Sequence, residues 1–400
     1  MQRVIFLIDM NAFFISCEKT RHPEVIGKPA AVAGDPKNRS GIILTANYEA
    51  RKFGVKTTMV LHEALKLCPN LLLIPPDHEF YEKMSREVMN IFSMFTPVIE
   101  QNSIDEAWLD MTGCEEIFGD PGISAKNIQD KIKNELGLWC SIGISENKFL
   151  SKMASDMKKP LGITELWKKD IKQKLWPLPV QSMYGVGRQT TQKLKSIGIE
   201  TIGDLALFSS DNLAKKLGKT GSEIIQLANG IDVSPVTPHL EGEMKSIGRS
   251  TTLSKDISDI NDAIIILMQL SDEIGMSARK HGKKGRTVQI TIKYSNFQSI
   301  TRQKTVPATN LTKEICSAGI DLLKKNWNDF LKVRLLGISI TGFDEETGAK
   351  QLSMFQLPDI SDEKIDRDKL YKIENTVDDI RKKYGDSIIN RGSFIKKKDK

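Results

Sequence analysis

The sequence predicts a multidomain α+β protein, and three observations carry that expectation. Residues 4–8, Val-Ile-Phe-Leu-Ile, form a continuous apolar run ending at Asp9, the pattern of a buried strand with an acid at its C-terminal end. Between residues 79 and 95 the side chains Phe80, Met84, Val88, Ile91 and Phe95 recur at helical spacing, and Pro97 follows as a stop. Far downstream, Val288, Ile290, Ile292 and Tyr294 alternate with Thr287, Gln289, Thr291 and Lys293, which marks a strand with one wet face.

The other elements follow in order. A second strand pattern covers residues 98–109. The composition changes near residue 167, and residues 166–205 read as short helices joined by turns. Within them, Met183-Tyr184-Gly185-Val186-Gly187-Arg188 enters a helix, Gly198 breaks it, and a second helix follows. That is a helix-hairpin-helix pattern, whose glycines let backbone N–H groups at a helix start approach a phosphate closely. An ordinary helical hairpin is the plain alternative. Gly230, Pro235 and Pro238 suit a linker over residues 226–241. Residues 262–280 and 311–327 read as helices and residues 335–343 as another alternating strand, giving a small second α/β sheet domain. Beyond residue 344 only residues 371–383 carry a helical pattern, and the chain ends Lys-Lys-Lys-Asp-Lys.

Composition narrows the class. At 400 residues, with 40% hydrophobic and 27% charged residues, the chain is expected to hold two to four globular domains. It is not expected to be disordered, collagenous or a coiled coil. No apolar run approaches the roughly 18 residues of a membrane span, and residues 1–8 lack the features of a secretory signal. Cys17, Cys68, Cys114, Cys140 and Cys316 are scattered without CxxC spacing, which fits reduced thiols in the cytoplasm and offers no zinc site. A hard cation held by carboxylates stays open. The net charge is +7, and residues 241–340 hold sixteen basic against ten acidic residues. Arg279 to Lys304 contains eight basic residues and no acid. Such a segment points to a polyanion, nucleic acid first, with a solvated basic face as the alternative.

Two constellations carry chemistry. The first joins Asp9, in Ile8-Asp9-Met10-Asn11-Ala12-Phe13-Phe14, to Asp105-Glu106, in Ser103-Ile104-Asp105-Glu106-Ala107-Trp108-Leu109-Asp110. Three carboxylates brought together repel unless cations neutralise them, and two Mg²⁺ ions are a common clamp for phosphoryl transfer. Consecutive strand residues point to opposite faces, so Asp105 and Glu106 share a site only near a turn or twist. Taken singly, Asp9 also reads as a helix N-cap and Asp105-Glu106 as a solvated turn. The second constellation is cationic. Tyr48 and Arg51 lie three apart in Ala46-Asn47-Tyr48-Glu49-Ala50-Arg51-Lys52-Phe53-Gly54, and Lys152, Lys158 and Lys159 lie ahead of Pro160. An Arg fork, a Tyr hydroxyl and a Lys suit a triphosphate, although a solvated helix face fits as well. No Walker A pattern is present.

These motifs, in this order and spacing over about the first 340 residues, resemble the Y-family translesion DNA polymerases of the bacterial DinB/UmuC type. The resemblance implies a right-hand polymerase: palm 1–10 and 77–166, small fingers 11–76, helical thumb 167–233, linker 234–244, little finger 245–343 and tail 344–400. It implies Asp9, Asp105 and Glu106 as the catalytic carboxylates, with the Met10 carbonyl as a further ligand to two Mg²⁺ ions. Phe13 and Phe14 match the aromatic pair under the nucleotide sugar, Phe14 being the steric gate, and Tyr48, Arg51 and Lys159 match the triphosphate contacts. Contacts to primer–template DNA are expected from Gly185, Gly187 and Arg188 in the thumb. In the little finger they are expected from Arg249, Arg279, Lys280, Lys283, Lys284, Arg286 and Arg302. Gln351-Leu352-Ser353-Met354-Phe355 resembles the bacterial sliding-clamp-binding peptide, in which Leu352, Met354 and Phe355 fill an apolar pocket and Gln351 makes polar contacts.

Many polymerase IV-like members carry Asp where this chain has Asn11, and Ser16-Cys17-Glu18 looks closer to the UmuC branch. The resemblance thus implies a low-fidelity, template-directed DNA polymerase using dNTPs, cytoplasmic and monomeric when free, with no membrane partner. Two rivals are carried forward. One is another metal-dependent phosphotransferase on a palm-like fold, such as a nucleotide cyclase, which has no need of a duplex grip. The other is a clamp-tethered DNA-binding protein without polymerase activity, which has no need of the three carboxylates.

Overall fold

The computed structural model describes residues 2–34, 41–238, 244–343, 362–385, 388 and 389. The clamp-like segment Gln351 to Phe355 lies outside them. The chain divides into two compact units, the first reaching Leu240 and the second starting at Glu241.

In the first unit, β1 (Ile5–Met10) leads into α1 (Phe13–Arg21), and β2 (Ala30–Ala33), β3 (Ile43–Ala46), α2 (Tyr48–Lys52), α3 (Leu61–Leu67) and β4 (Leu72–Ile74) follow. Then come α4 (His78–Ser93), β5 (Ile99–Gln101), β6 (Glu106–Asp110), α5 (Glu115–Phe118), α6 (Pro121–Leu136), β7 (Cys140–Ser145), α7 (Lys148–Met157) and β8 (Ile163–Glu165). A helical segment closes the unit: α8 (Ile171–Lys174), α9 (Arg188–Lys195), α10 (Ile202–Leu207), α11 (Ser210–Leu217) and α12 (Lys219–Ala228).

The main sheet has the order β5-β6-β1-β7-β8. The apolar run forms its centre, since β1 is buried along its whole length and pairs antiparallel with β6 and β7. Alternation sorts the two faces. Phe6, Ile8 and Met10 pack with Tyr81, Val88 and Ile91 of α4 and with Ile128 and Ile132 of α6. Ile5, Leu7 and Asp9 therefore point to the other face, where α7 packs on β1 and β7. The small residues Ser141, Gly143 and Ser145 of β7 sit beside Asp9, Leu7 and Ile5 in register and make room for that helix. A Cβ on Gly143 would overlap the Ser151 carbonyl oxygen and the Ser155 nitrogen. Asn147 caps α7 by accepting from the Leu150 N–H at 2.9 Å, which fixes where the helix starts.

The strand expected over residues 98–109 is two strands. β5 and β6 form a hairpin whose turn holds Asp105, while Glu106 is the first residue of β6 and lies opposite Asp9. Asp9 is not an N-cap, because α1 begins only at Phe13, after Ala12 takes a left-handed conformation at φ 50°. A smaller sheet, β3-β2-β4, lies between β1 and α4 in the chain. In the helical segment Gly185 has φ 86°, Gly187 caps α9, and α10 opens on a capping box made by Thr201 and Asp204.

The second unit holds β9 (Ser246–Ile257), α13 (Ile260–Lys280), β10 (Gly285–Tyr294), β11 (Ser299–Thr309), α14 (Thr312–Asn326), β12 (Val333–Phe343) and α15 (Asp362–Tyr384). Its antiparallel sheet runs β11-β10-β12-β9. One face carries Val288, Ile290, Ile292, Ile338 and Ile340 into a core with Leu267 and Ile274 of α13 and Ile315 and Leu323 of α14. α15 extends well ahead of the helix expected at residues 371–383. Among the described residues, no helix is long and apolar enough to cross a membrane.

The tight seat of α7 on β7 has a direct test. Gly143→Ala should destabilise the protein by at least about 2 kcal/mol in urea unfolding, because the backbone it meets cannot yield as a side chain would. An unchanged midpoint would show that α7 does not depend on this approach.

Candidate active site

The alternation that buries Phe6 and Ile8 on one face brings Asp9 out on the other, at the end of β1. Glu106 pairs with Asp9 across the strands and projects from the same face. Asp105 belongs to the turn, and its carbonyl accepts the Met10 N–H at 2.9 Å. The turn therefore satisfies the constraint on two consecutive acids, one placed by the strand and the other by the bend before it. Asp105 is braced by Ser103, whose hydroxyl donates to its Oδ1 at 2.6 Å, and Asn102 donates to Glu106 Oε2 at 2.9 Å.

Two ammonium groups sit among these carboxylates. Lys152, on α7, places Nζ 2.5 Å from Glu106 Oε1 and 3.1 Å from Asp9 Oδ2. Lys159 places Nζ 2.7 Å from the same Asp9 oxygen and 2.8 Å from Asp156 Oδ1. Burial pushes the Asp9 carboxyl up, and a hydrogen bond with Glu106 adds to that, while both lysines pull it down. Burial also raises Asp105, and the neighbouring charge of Asp9 contributes. Glu106 goes the other way: burial opposes its charge, but hydrogen bonds to Asp9 and Lys152 outweigh it and hold it below the usual carboxylate range. Burial likewise works against the Lys152 ammonium, and Asp9, Glu106 and Asp156 more than offset it.

Among the described residues, no three His, Cys, Asp or Glu side chains are gathered tightly enough to hold an ion as they stand. In the cluster Ser103 holds Asp105, Lys152 holds Asp9 and Glu106, and Lys159 holds Asp9. The donor set is nonetheless three carboxylates, and hard oxygen donors of this kind fit a hard divalent cation.

The cationic constellation lies close by. Tyr48 and Arg51 share α2, with the guanidinium 4.9 Å from the Tyr48 ring centroid and Nε donating to the Ala46 carbonyl. Burial raises the Tyr48 hydroxyl, and the charges of Arg51, Lys159 and Asp9 all reach it. That hydroxyl is buried with no hydrogen-bond partner among the described residues, so its donor capacity is unspent. Arg51 is exposed.

The aromatic pair divides. Phe13 is 2% exposed, and its ring packs in the core under the main sheet. Phe14 is half-buried and stacks on Tyr81, with centroids 4.4 Å apart and planes at 12°. The Tyr81 hydroxyl donates to buried Glu18 at 2.7 Å, and Glu18 is held in turn by Arg21. Sequence reasoning missed Tyr81. Its signal was the helical stripe one position before it, at Phe80. Asn11 makes use of its amide: Nδ2 donates to Ser141 Oγ at 3.0 Å while Oδ1 accepts the Leu161 N–H at 2.8 Å. An Asp there could not donate that bond.

In the second unit the residues expected to contact DNA divide. The Arg279 side chain is buried, with its guanidinium bound by Glu374 and by both oxygens of Asp378 on α15, at 2.6 and 3.0 Å for the latter. It is not available to a phosphate. Arg249 pairs with Glu273 of α13 at 3.7 Å, and Arg302 donates to Asn326 at the end of α14 at 3.0 Å, so both lie on the helix side of the sheet. Lys280, Lys284 and Arg286 are exposed around the turn between α13 and β10, and Lys283 is half-buried there. By register, the sheet face away from the helices carries Thr287, Gln289, Thr291, Ser339, Thr341 and Ser250, with Lys293 as its charge on β10. In the first unit, Gly187 and Arg188 are exposed at the start of α9, and a Cβ on Gly187 would meet nothing within 4 Å.

Comparison with known proteins places this geometry in context. The model of the impB/mucB/samB family matches residues 8–156, and that of the family's C-terminal domain matches residues 244–354. A model described as the DNA polymerase-iota thumb domain matches residues 181–232. A protein of Clostridium kluyveri called DNA polymerase IV is 69% identical over 397 residues, covering 99% of either chain. DNA polymerase IV 1 of Bacillus subtilis is 40% identical over 99% of this chain and 94% of its own. A solved Y-family DNA polymerase chimera of Dbh and Dpo4 superposes with a TM-score of 0.75 at 25% identity, covering 85% of this chain and 99% of the other. The two relatives carry the name DNA polymerase IV, so they lend no support to the UmuC-like leaning of the sequence.

The reassignment of Arg279 has a measurable consequence. Arg279→Ala should expose the amides of α15 to hydrogen exchange while leaving the salt dependence of DNA binding unchanged. A flatter salt dependence would return Arg279 to the DNA interface.

Proposed function

The chain belongs to the impB/mucB/samB family of Y-family DNA polymerases, and on that premise we propose that its first unit joins dNTPs to a primer 3′ end at Asp9, Asp105 and Glu106. The protein is a translesion DNA polymerase that synthesises DNA on a template. The observation that carries the proposed site is the convergence, at one end of the main sheet, of three carboxylates, two compensating ammoniums and the unspent Tyr48 hydroxyl.

Asp9, Asp105 and the Met10 carbonyl would hold divalent cations, proposed as two Mg²⁺ ions, and Glu106 would help hold the one at the primer end. When bound, such cations favour the 3′-oxygen as a nucleophile and shield the charge of the departing pyrophosphate. The chain's own residues do the rest. Lys159 exchanges its partner Asp9 for the triphosphate, whose negative charge is the stronger attraction. The Arg51 fork and the Tyr48 hydroxyl take the phosphate oxygens. The Phe14 ring, backed by Tyr81, occupies the space of a ribose 2′-hydroxyl and acts as the steric gate.

DNA contact is proposed at two places. In the thumb, backbone N–H groups at Gly185, Gly187 and Arg188 approach a phosphate, which the open space at Gly187 permits. In the second unit, Lys280, Lys283, Lys284 and Arg286 supply charge, and the hydroxyl and amide face of the sheet supplies neutral hydrogen bonds to the backbone. Gln351, Leu352, Met354 and Phe355 are proposed to dock on a sliding clamp. The free protein is proposed to be a cytoplasmic monomer. The presence of the full carboxylate set argues against a DNA-binding protein without activity.

Primer extension tests the site, on an undamaged template and on one carrying an abasic site, with Mg²⁺ and dNTPs. Asp105→Ala should lose synthesis by about a thousandfold or more while keeping DNA affinity; full activity would remove Asp105 from the chemistry. Phe14→Ala should raise ribonucleotide incorporation by roughly a hundredfold, measured as relative kcat/KM for rNTP and dNTP. Unchanged discrimination would take the gate away from Phe14.

A further inference from the structure

Lys152 and Lys159 both touch Asp9, but they are not equivalent. Lys159 lies beyond the end of α7, and its side chain is 26% exposed. Lys152 lies within α7, its side chain is 9% exposed, and the helix is pressed onto β7 at Gly143. It bridges Asp9 and Glu106, and its third carboxylate partner, Asp156 at 3.5 Å, is exposed. A buried ammonium is stable only beside negative charge, and adjacent carboxylates are stable only beside positive charge. Lys152 meets both requirements through its contacts with Asp9 and Glu106.

We propose that Lys152 is a built-in counter-cation: it positions Asp9 and Glu106 in the metal-free protein and weakens the site's hold on a divalent cation arriving alone. This rests on the assignment of Asp9, Asp105 and Glu106 as the cation-binding carboxylates. The unit charge of Lys152 cannot leave with a loop movement, because α7 carries it. A divalent cation entering the cluster therefore meets a fixed like charge, and each carboxylate oxygen held by Lys152 is partly spent. Lys152 is a positioning residue, since it acts through the carboxylates rather than on the reacting atoms.

Mn²⁺ binding to the full-length protein, without DNA or nucleotide, separates the outcomes. Free Mn²⁺ is counted by electron paramagnetic resonance, and thermal unfolding is followed in parallel with a chelator. Lys152→Met removes the charge and keeps the stem; Lys152→Gln does so with a shorter polar group, should the first fold poorly. Lys152→Arg keeps the charge, and Asp105→Ala marks which Mn²⁺ belongs to the cluster. The expected result is Asp105-dependent Mn²⁺ affinity that rises roughly fivefold or more in Lys152→Met or Lys152→Gln. Lys152→Arg should stay within about twofold of wild type. The neutral variants should also melt below wild type in chelator. An unchanged or weaker Mn²⁺ affinity in folded neutral variants would overturn the counter-cation role and leave the site assignment standing. Absence of any Asp105-dependent Mn²⁺ binding in wild type and in the folded neutral variants alike would overturn both.

Discussion

Packing three carboxylates against the end of a buried strand is permitted only if opposite charge comes with them, and much of the first unit serves that need. The compensating charge rides on α7, so α7 must lie close to the sheet, and it does so only because β7 offers Ser141, Gly143 and Ser145 on that face. Asn147 sets the helix start, which fixes the turn on which Lys152 appears. After the helix, Asn11 ties the following loop to the sheet through the Leu161 N–H, and that loop brings Lys159 back to Asp9. A strand, a glycine, a cap and a buried amide thus converge on one electrostatic requirement.

The nucleotide-facing features are built outward from this cluster. The left-handed turn at Ala12 separates the end of β1 from the start of α1, so Asp9 and Phe14 belong to different elements only a few residues apart. Phe13 anchors the turn in the core and Phe14 stays partly open, stacked on a tyrosine that Glu18 holds by its hydroxyl. α2 adds a guanidinium and an unpartnered phenol within electrostatic reach of the same aspartate. The second unit follows a different logic. Its sheet hides its apolar face under two helices and presents a face of hydroxyls and amides.

What was legible in the sequence follows from what one dimension can carry. An acid ending an apolar run is visible as such, and so is an adjacent acid pair ahead of alternating residues, so Asp9, Asp105 and Glu106 could be found. β10, α13 and α14 were legible because one face of each is apolar with a clear period. β9 and β11 were not, because their exposed positions are mostly Ser, Thr, Arg and Lys on both faces and the alternation is lost. Charge was read least well. Arg279 stands in the most basic stretch of the chain, yet its partners Glu374 and Asp378 lie nearly a hundred residues away on a helix whose docking no local pattern announces. The place of Lys152 between two carboxylates was equally hidden, since it depends on how deeply α7 sinks onto β7.

The account's central claim is that the charge-balanced cluster is where cation and nucleotide meet. Diffraction from crystals with primer–template DNA, a non-hydrolysable dNTP analogue and Mn²⁺, using the anomalous signal of the metal, tests it most directly. The account predicts Mn²⁺ peaks on Asp9, Asp105 and Glu106, Lys159 moved from Asp9 to the triphosphate, and the Tyr48 hydroxyl on a phosphate oxygen. Mn²⁺ bound elsewhere, or a triphosphate that leaves Tyr48 and Lys159 untouched, would contradict it.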